Sequence, residues 1–203
     1  MRSITIFITL SCLFILSMFY RVSNAVIAPA LISDLGLNVK TLGILGGAFF
    51  YSFALIQIPM GVLLDRVGPR LIMTLFSIIG AAGAFIFAGS HTLSMAMLGR
   101  ILIGTGMACA LMGSLKTFVL KFPPKQFSTL SGTILSVGML GTVLAISPLA
   151  YMSTTIGWRM TFVFAGIATA LVSLALCVIL KDHTTEQKNS SHTVSGYNPD
   201  KRT

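Results

Sequence analysis

This sequence is poor in charge, and poorest in acid. Its 203 residues hold five Asp and Glu in all, and only 9% are charged of either sign. Soluble domains carry about 25%. Asp65 is the only acid between Asp34 and Asp182. Cysteine is scarce as well: Cys12, Cys109 and Cys177 are scattered inside apolar runs, with no CxxC or Cys/His spacing. That excludes a disulfide frame and gives no metal site. No run of five basic residues exists, so the net charge of +9 does not point to nucleic acid. No GxSxG elbow is present, and Lys116-Thr117 lacks the glycine that a P-loop places before its lysine. His91 has no nucleophile and base around it. No enzyme and no cofactor are expected.

What fills the chain instead is hydrocarbon. It is 55% hydrophobic, with a mean hydropathy of +0.90. A helix spans a bilayer with about 20 apolar residues. Six runs qualify, roughly 4–32, 41–64, 71–89, 93–119, 127–152 and 159–180. A lipid-embedded backbone must satisfy its own hydrogen bonds, so helices are the expected form. The expected class is an all-α membrane protein with six transmembrane helices over 1–180. A polar tail follows at 181–203, rich in Ser, Thr, Asn and charge. Ser23-Asn24-Ala25 imitates a signal-peptide cleavage site, but the apolar run continues past it, so the first helix is expected to stay.

Lys and Arg set the orientation. Arg2, Arg66, Arg70, Lys116, Lys121, Lys125 and the tail fall on one side, and only Lys40 and Arg159 on the other. The rule that positive loops stay inside places both termini in the cytoplasm. Gly43 with Gly47, Gly80 with Ala84, and Gly104, Gly106, Gly132, Gly138 and Gly141 would let helices approach closely. Pro29 and Pro148 are expected to kink the first and fifth helices.

Two arginines lie within apolar runs: Arg21 in the first and Arg100 in the fourth. They fall about 11 and about 8 residues from the outer ends of their helices, which at 1.5 Å per residue is a depth of roughly 10–17 Å. An intramembrane charge marks a functional site by default. No acid lies in any run to pair with either. Two such cations attract an anion, and the arginine fork suits a carboxylate or phosphate. Ser17, Arg21 and Asn24 share one helix face, flanked by Tyr20, and Tyr51 offers a further polar group from the second helix. One reading is a cavity for an anionic or polar solute. The other holds each arginine on backbone carbonyls or on an acid of a partner chain.

The stretch between the second and third runs is Gly61-Val-Leu-Leu-Asp65-Arg66-Val-Gly68-Pro-Arg70. It resembles the signature loop G-x-L-a-D-r-x-G-r-k of the major facilitator superfamily. Arg100-Ile-Leu-Ile-Gly104-Thr-Gly106 resembles that family's fourth-helix motif. Gly157-Trp158-Arg159, followed by Phe162 and Gly166, resembles the start of its sixth helix. The resemblance covers about 4–180. The antiporter glycines of the fifth helix are only half matched: Gly132 and Gly141 keep the spacing, while Ala145-Ile146 stands in place of Gly-Pro.

The resemblance implies the N-terminal half of a secondary transporter, built as two inverted three-helix repeats. It implies a conformational-switch role for Gly61, Asp65, Arg66, Gly68 and Arg70. It also implies helix packing at Gly104, Gly106, Gly157, Trp158 and Arg159, and an arginine at 100 of the kind tied to coupling. The expected partners are the lipid bilayer, a small solute, and a C-terminal six-helix half or a second copy. The expected site is a bacterial inner membrane. The alternative is a non-transporting remnant or a membrane assembly protein.

Overall fold

The structure is a computed structural model that describes residues 2–180. The tail expected at 181–203 lies outside the described residues. The helices are α1 (Arg2–Val26), α2 (Ala28–Leu35), α3 (Val39–Arg66), α4 (Pro69–Ala88), α5 (Leu93–Met107), α6 (Cys109–Lys121), α7 (Phe127–Met152) and α8 (Trp158–Ile179). No strand occurs among the described residues. The first expected run is α1 and α2 joined at Ile27. Pro29 has no N–H to continue the ladder, which accounts for the break there. The fourth run is also two helices, because Ala108 closes a tighter turn onto Thr105.

The fifth and sixth runs match α7 and α8 in their bounds, but the joint between them is helical. Pro148 sits inside α7, which continues to Met152. A π-helical turn, Ser153–Gly157, then leads directly into α8. Among the described residues, the apolar helical stretches long enough to cross a membrane therefore number five, the last spanning Pro124–Ile179. That last stretch has 56 residues. Its two members, α7 and α8, have 26 and 22 residues. Each exceeds the length one crossing needs.

Local chemistry sets the other ends. Asn38 caps α3: its side chain accepts from the Thr41 amide at 2.8 Å, and Thr41 Oγ1 accepts from the Asn38 amide at 2.9 Å. Gly36 ends α2 at φ +62°.

Packing follows the small residues. Helix α5 is wedged between α3 and α4. A methyl group on Gly104 would collide with the Phe49 carbonyl and Ser52 of α3, and one on Gly106 with the backbone of Gly80 on α4. Gly83 and Gly99 serve the same α4–α5 contact, a methyl group on Gly99 coming within 2.8 Å of the Phe87 backbone. Three glycines depart from their expected role. Gly157 packs nothing: no atom would meet a methyl group there, and its φ of +85° is what the turn into α8 needs. Gly43 and Gly132 also face open space.

The helix pairs have an internal symmetry. Helix α4 lies against α8, α3 against α5, and α1 against α7. Exchanging the first three spans for the last three maps this set onto itself. The core is likewise in two parts. Tyr20, Leu31, Phe49, Phe87 and Phe162 fill the end nearer Asp34, and Leu10, Met60, Met73, Phe118 and Leu176 fill the end nearer Asp65. The outer surfaces carry large apolar side chains, among them Leu55, Ile58, Val143 and Leu174, all more than 60% exposed. In water that would be costly; in hydrocarbon it costs nothing. The chain is a multi-pass membrane protein.

Candidate functional site

Arg100 is 1% exposed and comes from the middle of α5. Its Nη1 donates to the Tyr20 carbonyl at 3.1 Å and to Ser23 Oγ at 3.3 Å. The guanidinium lies 5.1 Å from the Phe87 ring centre and 5.9 Å from that of Phe49. Its Nε and Nη2 have no partner. No acid among the described residues pairs with it. The site therefore holds a cation by carbonyl, hydroxyl and ring faces, a weak substitute for a carboxylate. The contact with Tyr20 puts Arg100 level with Arg21, as their depths from sequence require.

Arg21 is only half-buried. Its guanidinium stacks on Phe53 of α3 at 4.7 Å, and its Nε has no partner. Three residues on, Asn24 points to α3 as well, its amide nitrogen 2.9 Å from where a methyl group on Gly46 would stand. Its Oδ1 is also unpartnered. One face of α1 thus presents a cationic fork and an amide with spare hydrogen-bonding capacity, against a glycine-lined stretch of α3.

The other sequence candidates separate from these. Tyr20 is turned away into the core: it is fully buried, and its hydroxyl bonds Thr169 Oγ1 of α8 at 2.9 Å. A phenol in an apolar interior needs a partner, and the α8 threonine supplies it. Ser17 is 1% exposed. Tyr51 is 81% exposed and lines an open apolar groove of about 650 Å³ between α3 and α5, with Lys40, Gly43, Gly47, Ser52 and Met97. The structure brings Arg21 and Asn24 together, sets Arg100 behind them, and leaves Tyr51 on a separate surface.

The loop after α3 is built on one glycine. Gly68 has φ +94°, which only glycine adopts without strain, and it turns the chain into α4. Asp65 forms an ion pair with Lys116 of α6, tying the end of α3 to α6. Arg70 Nε donates to the Cys177 carbonyl near the end of α8, at 2.9 Å. Arg66 is exposed, and Gly61 faces open space.

At the opposite end, Trp158 Nε1 donates to Asp34 Oδ2 at 2.8 Å, and Arg159 donates to the Ala88 and Ser90 carbonyls. Sequence reasoning missed the role of Asp34. The signal was there: an acid at the end of an apolar run, with one tryptophan in the chain to meet it.

The model of the Major Facilitator Superfamily matches residues 9–199. Among curated proteins, the chain is 33% identical over 169 residues to the uncharacterized transporter YybO of Bacillus subtilis, covering 81% of this chain and 38% of that protein. It is 26% identical to the probable sulfoacetate transporter SauU of Cupriavidus necator, over 80% of this chain and 38% of the relative. It is 27% identical to the probable galactarate/D-glucarate transporter GudP of Bacillus subtilis, over 76% and 35%. The chain thus spans under two-fifths of the length of these relatives.

Proposed function

Because this chain belongs to the major facilitator superfamily, we propose that it forms the first six-helix half of a secondary active transporter for a small organic anion. The observation that carries the substrate class is Arg21: a half-buried cation in α1, with no acid to pair with among the described residues and an unpartnered Nε. A carboxylate or sulfonate oxygen satisfies that fork. Asn24 beside it supplies an acceptor for a solute hydroxyl and donors for a second oxygen. The names of two relatives, for sulfoacetate and for galactarate and D-glucarate, fit an acidic solute.

The energy source is an ion or solute gradient. The α3–α5 groove, open and apolar, suits burial against a C-terminal six-helix half or a second copy. The basic end with Arg66, Arg70, Lys116, Lys121 and Lys125 faces the cytoplasm, and the bacterial inner membrane is the proposed site. Asp65 and its loop act in the conformational cycle, by holding the end of α3 to α6.

The test is uptake into proteoliposomes bearing the assembly that contains this chain. Labelled organic acids should enter and compete with one another, while neutral polyols of the same size should not. Equal transport of neutral analogues would remove the anion site.

A further inference from the structure

An arginine in the first turn of a helix meets the positive end of its own macrodipole, a small cost. The sequence nonetheless places one there in α4 and in α8, each time as Gly-x-Arg. Gly68-Pro69-Arg70 begins α4, and Gly157-Trp158-Arg159 begins α8. The two turns have the same backbone: Gly68 is at φ +94°, ψ 154°, and Gly157 at φ +85°, ψ 150°. Helices α4 and α8 pack side by side, and the start of each is level with the end of the other. Arg70 reaches the Cys177 carbonyl in the last turn of α8. Arg159 reaches the Ala88 and Ser90 carbonyls at the end of α4. The cation unfavourable for its own helix satisfies the orphan carbonyls and negative dipole end of its neighbour.

We propose that Arg70 and Arg159 are matched clamps, one at each end of the α4–α8 pair, that fix this pair as the rigid spine of the molecule. The positive-φ glycine is what aims each arginine across the pair. Ser173 donating to the Thr74 carbonyl at 3.0 Å, and Gly166 against Phe85, hold the middle in the same register. The inference does not depend on which solute is carried.

Backbone hydrogen exchange on the full chain in lipid nanodiscs tests it. In Arg159→Gln the Gly89 and Ser90 amides, which bond the Phe85 and Phe87 carbonyls, should exchange roughly tenfold faster, the loss of a charged hydrogen bond. The Leu180 amide, bonded to Leu176, should be unchanged. Arg70→Gln should do the reverse. Unchanged exchange at both ends, or equal acceleration of both ends by either variant, would overturn the clamps. If Arg159→Gln does not insert, Arg159→Lys reads the same contact: a smaller rise confined to the Asp34 end supports it, and wild-type exchange there refutes it.

Discussion

At the residue scale the two arginines of the apolar runs have separate tasks. Arg100 is fully enclosed between Phe49 and Phe87 and bonded to α1, so it acts on the position of α1. Arg100→Ala should open a cavity and remove the hydrogen bonds from Arg100 to the Tyr20 carbonyl and Ser23, costing about 2–4 kcal/mol. Arg100→Met fills the same space and removes a buried charge that has no counter-ion among the described residues, so it should cost less. Unfolding of the two variants in detergent decides this; equal losses would mean that the charge, not the volume, holds the helices. Arg21 is different. It is half-exposed and stacks on a single ring, so its loss should leave stability within about 1 kcal/mol while affecting solute binding. Both arginines were legible in the sequence as charges in apolar runs. Their different burial was not, because a helical period places a residue on a face without saying what covers that face. Tyr20 shows the same limit, since its hydroxyl is claimed by Thr169, 149 residues away in the chain.

At the element scale the glycines sort by what a methyl group would meet. Gly106→Ala would drive Cβ into the Gly80 backbone, which cannot yield as a side chain would, and should force α4 and α5 apart. A loss of more than about 2 kcal/mol, or failure to accumulate in the membrane, is expected. Gly132→Ala meets nothing and should be neutral or slightly stabilising, as alanine is the better helix former. Thermal unfolding of the two variants side by side checks this, and equal effects would contradict the α4–α5 contact. Helix existence could be read from apolar run length, because lipid imposes it. The joints at Ile27, Ala108 and Ser153–Gly157 depend on backbone detail that hydropathy does not carry. Only Pro29 announced its joint.

At the scale of the whole molecule, each end of the bundle has an acid bonded across helices: Asp65 to Lys116 at one end, Asp34 to Trp158 at the other. Asp65 is exposed, so its ion pair adds little stability, about 0–1 kcal/mol. Asp65→Asn should therefore insert normally and slow transport several-fold; loss of the protein from the membrane would instead mark the pair as structural. The family motifs made this loop visible from sequence. Its partner Lys116 was visible only as a basic residue on the same side, since pairing across 51 residues needs the fold.

The most direct measurement is uptake of a labelled organic acid by proteoliposomes of the assembly containing this chain, with and without Arg21→Ala. Uptake lost in the variant, at an unchanged unfolding temperature, is the outcome expected of an arginine that holds the anion. Undiminished uptake by a folded Arg21→Ala protein would contradict it.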